Sequence, residues 1–270
     1  MSLTNKADRM TLSRPGPDTG SVVALVVTFN RLAHLQKTVG RLLSCEPSHL
    51  VGVLVVNNAS TDGTAAWLKA QDDPRLTVVS LPHNIGGAGG FETGMRHVMG
   101  RTQADWVLLM DDDARPAPDM LARFHAGART AHDAWLAAVY YPDGGICEMN
   151  RPWVNPFWSL RGFWAALRGG RGGFHIPDAD YAADAPRDVD GGSFVGLFVS
   201  RRGVERVGYP DGRLFLYGDD VLYTLGLRAA GGRIGFDPDL RYEHDCGVDT
   251  TAGQAITPLW KVYYLYRNQL

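Results

Sequence analysis

Four short apolar runs, each ending in a polar signature, constrain the fold of this chain more than any other feature. SVVALVVT (21–28), VGVLVVN (51–57), LTVVSL (76–81) and DWVLLM (105–110) are continuous and rich in β-branched residues. That is the pattern of strands buried on both faces of a parallel sheet. Helical signals stand between them. LAHLQKTVGRLL (32–43) repeats its apolar residues at helical spacing behind Asn30, a residue suited to capping. NASTDGT precedes a short helix through Trp67 and Leu68, HNIGGAGGF leads into a helix near residues 91–100, and Pro116 and Pro118 open another. Strand and helix alternating at this interval predict βαβ units, hence an α/β fold with a mainly parallel sheet flanked by helices. Ligands of such sheets sit beyond the carboxyl ends of the strands. Residues 28–30, 57–62, 83–90 and 111–113 all fall at such ends.

The second half is less regular and predicts a smaller mixed part. GGSFVGLFVS (191–200) reads as a strand, RIGFDPDLRYEHD (233–245) as one or two more, and VLYTLGLRAAG (221–231) as a helix stopped by Gly231. LRGGRGGF (167–174) has the composition of a mobile loop. Residues 1–20 are expected to form a loosely attached leader, and 21–270 a single domain. Its first half, 21–130, carries the strand-end signatures, and 131–270 is the less regular half. The end, YYLYRNQL, has the pattern of an aromatic amphipathic helix cut short, so further helix is expected to follow it.

Composition narrows the function classes. With 270 residues, 45% of them hydrophobic, the chain can bury a substantial core. A formal net charge of −2 argues against nonspecific nucleic-acid binding, which needs a basic excess. Cys45, Cys147 and Cys246 are far apart and form no CxxC pair, which argues against a zinc ribbon or a disulfide framework. A reducing, cytoplasmic setting fits that usage. No stretch resembles a signal-peptide core or runs to 18 apolar residues, so contact with a membrane is expected only from one side, as a peripheral association at its inner face.

Three places carry candidate chemistry. Asp111, Asp112 and Asp113 follow the fourth apolar run directly. Adjacent carboxylates repel unless a cation or hydrogen-bond donors compensate. Mg²⁺ or Mn²⁺ is bound by a few carboxylates together with substrate phosphate oxygens, and capping of a nearby helix is the other use of such residues. In FLYGDD (215–220), Asp219 and Asp220 stand at a predicted helix start. There a carboxylate either caps the helix or accepts a proton from an incoming hydroxyl. His244, in RYEHDC, gains weight from the aspartates, because imidazole, carboxylates and a diphosphate make a coherent Mn²⁺ site. HNIGGAGGF is neither a dinucleotide fingerprint, since the third glycine position falls on Glu92, nor a P-loop, since no GK[ST] follows. Its glycines permit a tight turn or close approach of backbone to a ligand.

VVTFNR, VVNNASTDGT, NIGGAGGF, LLMDDDA, FLYGDD, the EHD around residue 244 and YYLYRN, in this order and spacing, resemble the inverting family 2 glycosyltransferases of GT-A fold. The flavour is that of galactofuranosyl- and rhamnosyltransferase-like members that build bacterial cell-surface glycans, and the resemblance covers roughly residues 21–268. It implies a UDP- or dTDP-sugar donor and a Mn²⁺ or Mg²⁺ ion. By that resemblance Thr28, Asn30 and Arg31 line the nucleotide pocket. Asn57 stands where members often carry an aspartate facing the base, which leaves the base open, and Asp62 ends the same loop. Gly86, Gly87 and Phe91 border the sugar. Asp111 and Asp112 face ribose and diphosphate, and Asp113 and His244 hold the metal with Asp111 beside them. Asp220 is the general base and Asp219 an acceptor contact.

The segment 151–174 holds three of the seven tryptophans, three phenylalanines and four arginines, with no acid. Aromatic faces stack on sugars, arginines pair with phosphate, and both suit a membrane interface. Trp158 and Trp164 are therefore candidate contacts to a glycan or polyprenyl-diphosphate-linked acceptor; packing of the aromatics onto the sheet is the competing account. Two other functions stay open. A sugar-1-phosphate nucleotidyltransferase would carry a glycine-rich basic loop where this chain reads TFNRLAHLQK, and a non-catalytic glycan-binding protein would not need every acidic position filled.

Overall fold

The first half folds around four parallel strands, β1 (Val22–Thr28), β2 (Gly52–Asn57), β3 (Leu76–Ser80) and β4 (Trp106–Asp111), within a residue or two of the apolar runs. β1 pairs with β2 and β4, and β2 with β3, all in parallel. The structure is a computed structural model and describes residues 20–246 and 258–268; residues 1–19 of the expected leader lie outside the described residues.

The helices α1 (Leu32–Leu43), α2 (Thr64–Lys69) and α3 (Gly86–Arg101) connect these strands. Asn30 does not cap α1: it sits at φ 54°, where its Oδ1 accepts the Thr61 amide at 2.6 Å. The first amide of α1, on Leu32, is instead satisfied by Asp62. α3 begins at Gly86, earlier than expected, because Asn58 and Asn84 accept the amides of Ile85 and Gly86 and start the helix inside the glycine run. Small residues there let α3 lie close on β1: a Cβ at Gly90 would come within 2.5 Å of Val27.

β5 (Ala114–Pro116), α4 (Met120–Ala126) and β6 (Ala134–Tyr140) follow. Pro116 thus lies in an edge strand, where its missing donor costs no ladder bond, and the helix starts only at Met120. The stretch 167–174 is not an open loop. Ser159 caps α5 (Leu160–Gly169), which runs into a 3₁₀ turn at Gly170–Gly173. α6 (Asp178–Tyr181), β7 (Arg187–Val189), β8 (Leu197–Ser200), α7 (Arg201–Val207), α8 (Asp219–Ala229), β9 (Ile234–His244) and α9 (Trp260–Arg267) complete the described chain. The strand expected over 191–200 shortens to its last four residues. β9 is one strand, bulged opposite Ala137 and Ala138. Gly231 stands just beyond α8 at φ 78°, as a helix stop should.

Among the described residues the sheet has nine strands in the order β3-β2-β1-β4-β8-β6-β9-β5, with β7 paired to β9. Alternate residues of β1 face opposite cores. Val22, Ala24 and Val26 pack toward α1 and α4, and Val23, Leu25 and Val27 toward α3. Each such buried aliphatic side chain contributes about 1.5–3 kcal/mol. No helix among the described residues is long and apolar enough to cross a membrane.

Candidate active site

β4 delivers Asp111 at its last residue, and the chain turns through Asp112 and Asp113 into β5. Antiparallel pairing sets Ala114 opposite His244, the last residue of β9, so residues 130 apart in sequence or more meet at one corner. Ligand atoms of Asp111, Asp113 and His244 all lie within 4.8 Å of one another. His244 Nδ1 is 2.7 Å from Asn150 Oδ1, an atom that can only accept, so Nδ1 carries a hydrogen. Asn150 is itself fixed by the hydrogen bond its Nδ2 donates to Ser193 Oγ and by the one its Oδ1 accepts from the Cys147 thiol. The other ring nitrogen, Nε2, is then directed at Asp113 Oδ1, 3.3 Å away. That oxygen is buried, and its contact with His244 is an ion pair without the geometry of a hydrogen bond. A buried acceptor left so is costly, and hard oxygen donors beside an oriented imidazole are the ligand set Mn²⁺ or Mg²⁺ takes. The residues present therefore fit a divalent cation.

The charges are strongly coupled. Burial pushes Asp111 up to about 6, with Asp113 adding to the effect. Burial also raises Asp112 to about 7, in spite of its bonds to Thr28 and Arg31. Burial acts the same way on Asp113, but His244 and Arg31 outweigh it and hold that carboxyl at about 2. Burial works against the His244 imidazolium, yet Asp113, Cys147 and Asp111 raise it to about 10. Ligands must be deprotonated, so cation binding here releases protons.

The remaining expected donor residues divide into two groups. Arg31 reaches Asp113 at 2.7 Å and Asp112 at 3.4 Å and stays partly exposed. Thr28 donates to Asp112 at 2.7 Å, turning that buried carboxylate toward β1. Asn30, Asn57 and Asp62 shape the loops beyond β1 and β2. Asn57 Oδ1 accepts the Ser60 amide, and the oxygens of Asp62 accept Leu32 and Thr64 at the starts of α1 and α2. Gly87 and Phe91 line a cavity of about 320 Å³ together with Asp111, Asp219, Asp220 and His244. Gly86 lies beside it at φ 78°, pressed on Phe215 so closely that a Cβ would come within 2.0 Å of the Phe215 oxygen.

Asp219 and Asp220 both lie in the first turn of α8, whose N-cap is Gly218, so neither fills the capping role the sequence left open. Asp220 Oδ1 accepts the Val221 amide at 2.8 Å. Burial raises both carboxyls, and the neighbouring Asp220 and Asp111 help push Asp219 up to about 7. A carboxylate tuned toward neutrality suits proton transfer.

A second cavity of about 470 Å³ adjoins the first and shares Met149, Ser193 and Asp220 with it. Segment 151–175 supplies most of its wall, including Trp153, Phe157, Arg171 and Phe174. Trp158 and Trp164 stand outside that lining, about half exposed, with Arg228 over the first ring and Arg168 over the second. No local signal marks Asn150, Cys147 or Ser193 as site residues, because only the folded sheet brings them to His244.

A sheet whose parallel half ends in an acidic triplet, facing a carboxylate pair at a helix start, defines a glycosyltransferase of GT-A fold. Solved structures agree with that fold. The mannosyltransferase PcManGT from Pyrobaculum calidifontis, in complex with GDP-Man and Mn²⁺, aligns with a TM-score of 0.59 and 21% identity, over 98% of this chain and 73% of that one. TarS of S. aureus (residues 1–349) aligns with a TM-score of 0.58 and 18% identity, over 83% of this chain and 60% of that one. The chain belongs to glycosyl transferase family 2, whose profile matches residues 23–179. It is similar to the galactofuranosyltransferase GlfT1 of Mycolicibacterium smegmatis, with 31% identity over 231 residues, covering 84% of this chain and 72% of that protein.

Proposed function

We propose that this chain transfers a sugar from a UDP- or dTDP-sugar to a hydroxyl of a cell-surface glycan acceptor, with inversion. The observation that carries this reading is the shared cavity, in which Asp111 and His244 face Asp219 and Asp220 across one sugar-sized space. The 31% identity to GlfT1 favours galactofuranose over rhamnose as the sugar. Asp113, His244 and Asp111 would hold Mn²⁺ or Mg²⁺, which when bound neutralises charge gathering on the departing diphosphate. Arg31 brings a second positive charge to the same place. Gly87 and Phe91 border the sugar. Asp220 takes the proton of the acceptor hydroxyl as the hydroxyl oxygen forms the new bond to the anomeric carbon and the bond to the diphosphate breaks on the opposite face. One displacement inverts that carbon, and no covalent enzyme intermediate is required. Asp219 contacts the acceptor. Residues 21–130 thus serve the donor, and 131–270 serve the acceptor apart from His244, which reaches the donor's metal. The test is a thermal-shift panel of nucleotide sugars with and without Mn²⁺, followed by product analysis on the best hit. Stabilisation by none of them, and no glycosyl product, would defeat the reading.

The acceptor we propose is glycan-linked, or carried on a polyprenyl diphosphate at the cytosolic face of the membrane. Its reacting sugar occupies the 470 Å³ cavity, and its lipid-linked part runs over the outer face of α5. Leu160 and Leu167 are exposed there along with Trp158 and Trp164, and Arg161 and Arg168 suit anionic headgroups. Changing Trp158 and Trp164 to Ala is expected to raise KM for a lipid-linked acceptor about tenfold, a loss of ~1.4 kcal/mol. KM for a short soluble acceptor, and for the donor, should stay within about twofold. Equal KM values for both acceptors before and after the change would remove these residues from the acceptor site.

A further inference from the structure

The YYLYRN motif takes no part in the chemistry above, yet its helix, α9, ends against the loop that carries the base. That loop, residues 214–218, has a backbone that residues with side chains avoid. Phe215 lies at φ 66° and ψ −57°, and the Leu216 amide donates to the Leu214 carbonyl at 2.7 Å. Residues 214–216 therefore form a γ-turn of the rare positive-φ form. Tyr217 follows at φ 67° and Gly218 at φ 81°. Such conformations persist only where their surroundings over-determine them.

Two elements do so here. On the donor side, the Ala88 amide in the first turn of α3 donates to the Phe215 carbonyl. On the far side, Asn268, directly after α9, donates from Nδ2 to the carbonyls of Leu214, Leu216 and Tyr217 at 3.0, 2.7 and 2.9 Å. Arg267 donates to the carbonyls of Arg213 and Leu214, and the Tyr264 ring stacks on Phe215 at 4.6 Å. Asn268 also packs on the helix cap itself, since a Cβ at Gly218 would meet its Cβ at 3.6 Å. One carboxamide thus gathers three carbonyls of the turn whose next two residues are Asp219 and Asp220.

We propose that Asn268 is a positioning residue for the base. Its carboxamide holds residues 214–218 in their positive-φ turn, and so aims Asp220 into the cavity opposite Asp111 and His244. This rests on the reading of Asp220 as base. Without that donor the carbonyls of Leu216 and Tyr217 turn to water while Leu214 keeps the Leu216 amide and Arg267, the turn relaxes toward ordinary backbone angles, and the start of α8 swings with it. Aspartate at the same position keeps the shape but has no donor, and sets a carboxylate against three carbonyl oxygens.

The test uses Asn268→Asp and Asn268→Ala in the full chain, alone and combined with Asp220→Asn. The expected result for Asn268→Asp is a kcat lowered about 10- to 100-fold, with affinity for UDP or dTDP plus Mn²⁺ within twofold of the parent chain. Hydrogen exchange at the amides of 215–222 should quicken at least tenfold while those of β1 and β4 keep their protection. In the Asp220→Asn background the same change should add no further loss, because Asn268 acts through the base. Unchanged kcat, unchanged exchange at 215–222, or an equal proportional loss in both backgrounds would each overturn the proposal. If Asp220→Asn itself turns over normally, the base assignment fails. Exchange then judges Asn268 separately, quickened exchange with lowered kcat upholding the clamp and unchanged exchange overturning it. Should Asn268→Asp fail to fold, Asn268→Ala is read by the same criteria.

Discussion

Asp220→Asn is expected to lower kcat by roughly two to four orders of magnitude, the span of a lost general base. The substitution keeps the shape of the side chain and its oxygen toward the Val221 amide, and removes only the basicity. Affinity for the nucleotide should persist, because the candidate cation ligands belong to β4, the turn after it and β9. The pH profile supplies a second reading of the same variant. Burial raises both carboxyls of the pair, so the base loses its charge at a higher pH than an ordinary carboxylate does, and its ionised fraction grows as pH rises. Turnover of the unaltered chain should therefore fall as the pH drops, and Asp220→Asn should lose the part of this acid limb that belongs to Asp220 while the part due to the raised Asp111 and Asp112 remains. Near-normal kcat in Asp220→Asn with a large loss in Asp219→Asn would identify Asp219 as the base instead. Normal turnover in both would put the base elsewhere.

Asp113→Ala is expected to abolish cation-supported binding of UDP or dTDP while the protein remains folded. Its Oδ1 is the buried acceptor left without a hydrogen bond, and its Oδ2 is the closer anchor of Arg31. Removing the carboxylate takes away a ligand and also frees the guanidinium to lean on Asp112, which keeps that charge paired. Calorimetry with Mn²⁺ present decides the matter: heat and affinity equal to those of the unaltered chain would show the metal assignment to be mistaken. His244→Ala should weaken binding less, about 10- to 100-fold, since water can take the place of one ligand.

The distance between residues separates what could be read along the chain from what could not. β1 to β4 were legible because each is a local run of β-branched residues, and a strand buried on both faces has no polar alternation to disguise it. β6, AWLAAVY, went unseen: its alanines carry little strand preference, and β8 and β9 on its two sides make it a strand. Asn30 and the pair Asp219 and Asp220 carry the composition of helix caps, yet Asp62 takes the first amide of α1 from another loop and Gly218 is the N-cap of α8. Capping is decided by backbone angles, and Asn30 and Gly218 sit at positive φ because loops distant in sequence fix them there.

The sequence by itself determined the alternation of strand and helix and the polar loops at the strand ends, and it singled out Asp111, Asp113, Asp219, Asp220 and His244 as candidates for chemistry. These are local properties, set by side-chain type and by spacing within a few residues. Only the tertiary structure decided that His244 meets Asp113, that Asn150 fixes its tautomer, and that Trp153 and Phe157 wall the second cavity while Trp158 and Trp164 lie outside it. It alone joins Asn268 to the turn before Asp219. The physical reason is that these arrangements depend on strand pairing and on hydrogen bonds between segments 50 to 130 residues apart, and no periodicity along the chain records which segments the sheet brings together.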